Sequence, residues 1–134
     1  MTATHSETRR PSVLLVDDEP NIAISLEYVM RRAGYAVRTA GDGEAALDAI
    51  REEKPDLVLL DVAMPKRDGY DVCQTVRADP ALSDIRIVML TANTGPVGAE
   101  KALALGADAF FSKPFRVDDL SKRVAELLAE DGVA

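Results

Sequence analysis

The stretch Val13-Leu14-Leu15-Val16-Asp17-Asp18-Glu19 decides the fold, because four consecutive apolar residues lead directly into three acidic ones. Further apolar runs occupy residues 57–60 and 87–90, and a shorter run occupies 109–111. Continuous runs of Val, Ile and Leu of this length are typical of strands that are buried on both faces of a parallel sheet. Residues 35–39 alternate in character instead, which predicts a less protected strand near the edge of the sheet.

Segments with helical periodicity separate these runs, because their apolar residues recur three and four positions apart. The predicted helices lie at Ile22 to Ala33, Glu44 to Glu53, Val72 to Val76, Ala99 to Leu105 and Leu120 to Leu128. Gly34 and Gly106 follow two of them, at the position where glycine commonly ends a helix. Five strands alternating with five helices predict an α/β fold, a (βα)5 doubly wound parallel five-stranded sheet with right-handed crossovers.

Length and composition predict one folded domain. The chain has 134 residues, the usual size of a single domain, and 47% of them are apolar, which is enough for a core. We place the domain at residues 12–130, with a flexible polar tail at 1–11 and a short tail at 131–134. No apolar run approaches the about 20 residues that cross a bilayer, and residues 1–11 lack the apolar segment of a secretory signal. We therefore expect a cytoplasmic protein with no membrane partner.

The charge balance and the single cysteine argue against several classes of function. The chain has 16 Lys and Arg against 23 Asp and Glu, a formal net charge of −7. That charge argues against direct nucleic acid binding by this domain and against binding to anionic lipid. Cys73 is the only cysteine, so the chain forms no internal disulfide and no cysteine-rich metal site. Its place on the apolar side of the third predicted helix indicates a buried, unreactive thiol.

Polar side chains stand directly after the apolar runs. They are Asp17, Asp18 and Glu19 after the first run, Asp61 after the second, Thr91 after the third, and Ser112, Lys113 and Pro114 after the last. Ligands of an open parallel sheet bind beyond the carboxyl ends of its strands, so these residues are expected to meet at one rim. One such residue alone fits a turn or a helix cap, but the whole set at successive strand ends indicates a functional site.

The chemistry of this rim predicts a site that receives a phosphoryl group. Crowded carboxylates repel one another, and a hard divalent cation such as Mg²⁺ relieves that repulsion. The cation and Lys113 would neutralise the oxygens of a transferring phosphoryl group, a carboxylate would be the nucleophile, and Thr91 would offer a hydroxyl. The sequence has no Gly-rich loop for a nucleotide, and its one histidine, His5, lies in the tail.

At these residues the sequence resembles the receiver domain of two-component response regulators, over residues 12–130. The matching motifs are Val16-Asp17-Asp18-Glu19, Leu60-Asp61-Val62-Ala63-Met64-Pro65, Asp68-Gly69, Leu90-Thr91-Ala92, Gly106-Ala107-Asp108 and Lys113-Pro114-Phe115. The resemblance implies a CheY-like, flavodoxin-like sheet with strand order 2-1-3-4-5. It also implies a phosphoprotein that works as a switch in phosphorelay signal transduction, and not an enzyme that acts on a separate substrate.

The resemblance assigns roles to several residues of the rim. Asp61 would be the phosphoacceptor, charged from the phosphohistidine of a sensor histidine kinase or a phosphotransfer protein. Asp18 would ligate Mg²⁺ directly and Asp17 mainly through water, with the Ala63 carbonyl as another ligand. Lys113 would contact the phosphoryl group.

A conformational switch is also implied by the resemblance. Thr91 would move toward the phosphoryl group, and Phe110 would turn into the space that opens. The face made by the fourth helix, the fifth strand and the fifth helix would then change shape. A plain core position is the alternative for Phe110, and Phe111 would face the other side of the strand. The Lys113–Pro114 peptide bond would be cis, as is usual in the family.

Several positions depart from the commonest pattern of the family, and two of them concern the acyl phosphate. Ala63, two residues after Asp61, has no polar side chain, and Asn93, two residues after Thr91, carries an amide. In the family these two positions tune how readily water attacks the acyl phosphate. We therefore predict that Ala63 and Asn93 set the lifetime of the phosphorylated form.

Three alternatives remain for the same residues. A Mg²⁺-dependent Asp-nucleophile phosphatase of the haloacid dehalogenase type would need Asp-x-Asp after the first strand, where this chain has Asp17-Asp18-Glu19. A flavodoxin-like cofactor binder would need a phosphate-binding loop there, and a pseudo-receiver would lack the phosphorylation residues.

The downstream partner would be an effector protein or an output domain. We favour a stand-alone receiver that is a monomer or a phosphorylation-dependent dimer.

Overall fold

Five strands and five helices alternate along the chain in the computed structural model, which describes residues 10–62, 68–91 and 96–130. The strands are β1 (Ser12–Val16), β2 (Ala36–Ala40), β3 (Leu57–Asp61), β4 (Arg86–Thr91) and β5 (Ala109–Ser112). The helices are α1 (Pro20–Arg32), α2 (Gly43–Glu52), α3 (Gly69–Ala78), α4 (Pro96–Ala104) and α5 (Val117–Glu130). The predicted number and order of elements are confirmed.

The five strands form one parallel sheet in the order β2-β1-β3-β4-β5. This order confirms the expectation from the resemblance. The alternating stretch forms β2, which lies at an edge and buries only Val37 of its own five residues. By contrast, all five residues of β3 are buried, because this strand lies at the centre with helices over both faces.

Two apolar layers cover the sheet, one on each face. Leu14 and Val16 of β1 pack with side chains of α2, α3 and α4, whereas Val13 and Leu15 pack with α1 and α5. Successive side chains of a strand point to opposite faces, so a run of four apolar residues supplies both layers equally. This is why the apolar runs are continuous instead of alternating.

All five helices differ from the prediction by one to three residues at each end, and the starts of two of them have a clear structural explanation. The helix α2 begins at Gly43 instead of Glu44, because the side chain of Asp42 caps it by accepting a hydrogen bond from the Ala45 N–H at 2.8 Å. The helix α4 begins at Pro96 instead of Ala99. Proline is favoured in the first turn of a helix, where its missing N–H costs no hydrogen bond. Periodicity alone did not reveal this start.

The side chain of Arg77 connects the end of α3 to the segment that leads into β5. Its guanidinium donates to the carbonyls of Gly106 at 2.8 Å and Ile85 at 2.6 Å and to the Asp108 carboxylate at 2.9 Å. Asp108 in turn accepts from the Ile87 N–H at 2.8 Å. These bonds fix the start of β5, and therefore the direction in which its far end approaches the rim.

None of the helices in the described ranges is long and apolar enough to cross a membrane.

Cys73 is fully buried in α3, as predicted, and its Sγ donates to the Leu105 carbonyl at 3.4 Å. Burial raises the pKa of the Cys73 thiol; the charge of Arg77 lowers it and that of Asp108 raises it, and the net shift is upward. A thiolate is the reactive form of cysteine, so this position disfavours thiol chemistry in the folded protein.

The raised pKa of Cys73 predicts a loss of stability in alkali. Above the ordinary thiol pKa of 9.0 the unfolded chain ionises Cys73, while the folded chain keeps the proton until its higher pKa is reached. The free energy of unfolding is therefore expected to fall with pH by up to about 1.4 kcal/mol per pH unit from this group. Urea unfolding at about pH 8 and about pH 10 measures this loss.

The matched control is Cys73→Ala, which removes the thiol and keeps every other titrating group, including Tyr35 with its raised pKa. It should be less stable than the wild type near neutral pH, by roughly 1 kcal/mol, but should lose less stability between the two pH values. Equal losses in the two proteins would show that the thiol is not responsible.

Candidate functional site

Four of the predicted site residues meet at the carboxyl edge of the sheet. Asp17 follows β1, Asp61 and Thr91 are the last residues of β3 and β4, and Lys113 follows β5. Parallel strands all end at the same edge, so their terminal residues come together although they lie far apart in sequence.

The two aspartates are buried to a degree that a turn or a cap does not require. The side chains of Asp17 and Asp61 are 0% and 4% exposed, and Thr91 is buried as well. Asp17 does have a turn role, since its Oδ1 accepts the Glu19 N–H at 2.8 Å, but its Oδ2 faces Lys113. Buried carboxylates are costly unless charges compensate them, which points to a functional arrangement.

The ammonium of Lys113 is shared among three carboxylates. Its Nζ lies 3.4 Å from Asp17 Oδ2, 3.3 Å from Glu19 Oε1 and 3.4 Å from Asp61 Oδ1. Burial by itself lowers the pKa of Lys113, but the charges of Asp61 and Asp17 and the hydrogen bond to Glu19 outweigh it, so the pKa is raised. Lys113 therefore stays positively charged in this site.

The acidic group has the chemistry of a site for a hard divalent cation. One carboxylate oxygen each from Asp17, Glu19 and Asp61 lies within 4.8 Å of the others. Three carboxylates against one ammonium leave an excess of negative charge. Oxygen donors of this charge suit Mg²⁺, which binds through few carboxylates and keeps several waters.

Glu19 belongs to this group, and the sequence reasoning did not assign it a role. Asp18, which was expected to be a metal ligand, is exposed and lies outside the group. The side chain of Asp17 folds back onto the Glu19 N–H, and in this turn the carboxylates of Asp17 and Glu19 lie on the same side. The two-residue spacing between Asp17 and Glu19 is the sequence feature that could have indicated this arrangement. In the structure the backbone of Glu19 is extended just before α1.

The backbone around Asp61 is closely packed against the start of α3. The Gly69 N–H donates to the Val62 carbonyl at 2.9 Å, and the Val62 N–H donates to the Leu90 carbonyl at 2.9 Å. A Cβ at Gly69 would lie 2.6 Å from the carbonyl oxygen of Asp61 and 2.8 Å from Val62 Cα. Only glycine allows this approach, so α3 presses directly on the end of β3.

The remaining predicted residues lie around this centre. The Lys113 N–H donates to the Thr91 carbonyl at 2.7 Å, and the Lys113–Pro114 peptide bond is cis, the isomer that the resemblance implied. Phe110 packs against the layer of α2, α3 and α4, and Phe111 against the layer of α1 and α5. Ala63 and Asn93 lie outside the described residues.

Comparison with known proteins decides the family. A family model described as the response regulator receiver domain matches residues 13–125. The chain belongs to this family. The receiver is 46% identical over 118 residues to the DNA-binding response regulator MtrA of Mycolicibacterium smegmatis, a match that covers 88% of the chain and 50% of MtrA.

Two solved structures are similar to the receiver in fold and sequence. One is described as a response regulator from Chloroflexus aurantiacus J-10-fl, with a TM-score of 0.86 and 39% identity, covering 90% of this chain and 99% of that one. The other is chemotaxis protein CheY4 of Vibrio cholerae, with a TM-score of 0.83 and 32% identity, covering 90% and 100%. The receiver spans about half the length of the curated relatives that it matches.

The packing of Gly69 predicts that Gly69→Ala disturbs the site. The added methyl group must push α3 away from the carbonyl of Asp61, which should cost about 1–3 kcal/mol of stability and reorient Asp61. Urea unfolding measures the first effect, and Mg²⁺ titration followed by amide NMR measures the second, as a weaker affinity.

Gly41→Ala is the matched control, because nothing lies within 4 Å of a Cβ at that position. It should stay within about 0.5 kcal/mol of the wild type and bind Mg²⁺ equally well. If both variants behaved alike, contact between α3 and β3 would not be what holds Asp61 in place.

Proposed function

We propose that the receiver is a phosphorylation-operated switch that accepts a phosphoryl group on Asp61 in a Mg²⁺-dependent reaction. The donor would be the phosphohistidine of a sensor histidine kinase or of a phosphotransfer protein. The observation that carries this proposal is the buried Asp61 carboxylate beside a Lys113 ammonium that stays charged. The family to which the chain belongs supports the same function and favours it over the phosphatase alternative.

In this reaction an Asp61 carboxylate oxygen attacks phosphorus and forms an acyl phosphate. The phosphorus–nitrogen bond of the phosphohistidine breaks, and its electron pair leaves with the imidazole nitrogen. Lys113, already 3.4 Å from Asp61 Oδ1, would donate to a phosphoryl oxygen and offset its growing charge. The Thr91 hydroxyl would donate to another oxygen from the end of the neighbouring strand.

A bound Mg²⁺ would supply positive charge that relieves the repulsion between Asp61 and the incoming phosphoryl group. Asp17 and Asp61 would hold it from the carboxylate group described above. We retain Asp18 as a direct ligand and the Ala63 carbonyl as another, from the family resemblance. Asp18 stands beside Asp17 in the same turn and is exposed.

The output would pass through the face formed by α4, β5 and α5. Phe110 is half-buried between β5 and the layer that includes α4, where a turn of its ring would disturb that layer. Within α4, Ala102 is fully buried while Leu103 is 54% exposed, so the helix offers an apolar contact to a partner. That partner would be an effector protein or an output domain, engaged by a monomer or a phosphorylation-dependent dimer.

Incubation with acetyl phosphate and Mg²⁺ tests the phosphoacceptor. Intact-mass measurement should show a gain of one phosphoryl group on the wild type and none on Asp61→Asn, because the amide oxygen is a poor nucleophile. Asp48→Asn, which removes an exposed carboxylate of α2, is the matched control and should be labelled like the wild type. Labelling should disappear when EDTA removes the metal; labelling of Asp61→Asn would refute the assignment.

The lifetime of the acyl phosphate is expected to depend on Ala63 and Asn93. Either Ala63→Asn or Asn93→Ala should change the rate at which the phosphorylated form decays, by about tenfold, while phosphorylation still takes place. Decay after removal of the donor, followed by intact mass, measures this rate. Unchanged decay in both variants would show that other groups control the attack of water.

A further inference from the structure

The reaction proposed above assigns no step to the Glu19 carboxylate, which belongs to the same acidic group and contacts Lys113, a residue that takes part. Its side chain is 59% exposed, in contrast to the buried side chains of Asp17 and Asp61. Its Oε1 nevertheless lies 3.3 Å from Lys113 Nζ, which is as close as either buried carboxylate. The contact therefore spans the mouth of the site from the solvent side.

Stability of α1 does not explain why glutamate stands at this position. Glu19 is the N-cap residue of α1, but its side chain makes no capping hydrogen bond. Ser, Thr, Asp and Asn are the preferred residues there, because a shorter side chain reaches the N–H groups of the first turn. The longer side chain of Glu19 instead reaches across to Lys113.

The backbone of Glu19 is fixed although its side chain is exposed. Its N–H donates to Asp17 Oδ1 at 2.8 Å, and its carbonyl accepts the Ala23 N–H at 3.0 Å. These bonds fix the position of the Glu19 backbone relative to the rim. The length and conformation of the side chain then determine whether its carboxylate reaches Lys113.

Lys113 is held loosely enough to change partners. Its three contacts, at 3.3–3.4 Å, are all longer than the about 2.7–2.9 Å of a tight charge-assisted hydrogen bond. A phosphoryl group on Asp61 would draw the ammonium toward its own oxygens. The contact with the exposed Glu19 is then the one that must yield, since Asp17 and Asp61 are buried within the site.

We propose that Glu19 is a positioning residue that holds Lys113 in the unphosphorylated receiver and thereby opposes formation of the phosphorylated state. This inference rests on the function proposed for Asp61. The contact lowers the free energy of the unphosphorylated state only, so Glu19 limits how much of the receiver a given phosphodonor converts.

Binding of beryllofluoride, an unreactive mimic of the phosphoryl group, tests this role without any chemical step. Affinities are measured by amide NMR titration at a Mg²⁺ concentration that saturates each variant. Glu19→Gln keeps the size of the side chain and removes its charge, and should bind beryllofluoride about two- to fivefold more tightly than the wild type. Glu19→Asp keeps the charge but loses the reach to Lys113, and should also bind more tightly.

The same substitution in a Lys113→Met background completes a double-mutant cycle. If Glu19 acts through Lys113, Glu19→Gln should produce no gain in that background. In the wild-type background without beryllofluoride, Glu19→Gln should also shift the side-chain NMR signals of Lys113, which an effect on folding alone would not do.

The outcomes separate this inference from the proposed function. A wild type that binds beryllofluoride as tightly as Glu19→Gln overturns the inference and leaves Asp61 as the acceptor. Tighter binding by Glu19→Gln but not by Glu19→Asp, or an equal gain with Lys113→Met, shows repulsion of the anion through space and also overturns it. Failure of the wild type to bind beryllofluoride with Mg²⁺ overturns the proposed function, and the inference with it.

Discussion

The attraction between one ammonium and the carboxylates around it is the interaction on which the rim of this sheet depends. Asp17 and Asp61 are removed from water, and Lys113 is the cation that stands between them. Without that charge the two carboxylates would repel each other in a medium of low dielectric constant. One lysine does not neutralise the whole group, and the remaining negative charge is of the kind that a hard divalent cation would compensate.

The apolar core on both faces of the sheet stabilises the domain, and this stability compensates for the burial of charged groups at the rim. Leu14, Leu15, Leu59 and Leu60 are fully buried just behind the rim. Burial of large aliphatic side chains contributes about 1.5–3 kcal/mol each, and this contribution opposes the cost of burying the two carboxylates. The close packing of Gly69 against the end of β3 holds the backbone of Asp61 next to this core.

The fold and the centre of the site could be predicted from sequence because both depend on patterns of short range. Runs such as residues 57–60 identify buried strands, and the residue after each run falls at the carboxyl edge by topology alone. What the pattern did not contain was the direction of individual side chains in the turn after β1. The turn of Asp17 onto the Glu19 N–H decides that Glu19 faces Lys113 and that Asp18 does not join the group. The start of α4 at Pro96 was missed for a different reason, since proline adds nothing to the hydrophobic periodicity that marks a helix.

The two adjacent phenylalanine rings of β5 lie in different apolar layers, and this affects the aromatic NMR spectrum of the domain. Phe110 reaches the layer of α2, α3 and α4, while Phe111 meets Phe115 edge-on in the opposite layer, with ring centroids 6.3 Å apart. The NMR signals of these two neighbouring residues therefore respond to changes on the two opposite faces of the sheet. A small rotation of the β5 backbone would move aromatic resonances in two separate environments at once, whereas a change confined to one side chain would move only one set. The chain has no tryptophan and three phenylalanines, so such spectra would be simple enough to tell these two kinds of motion apart.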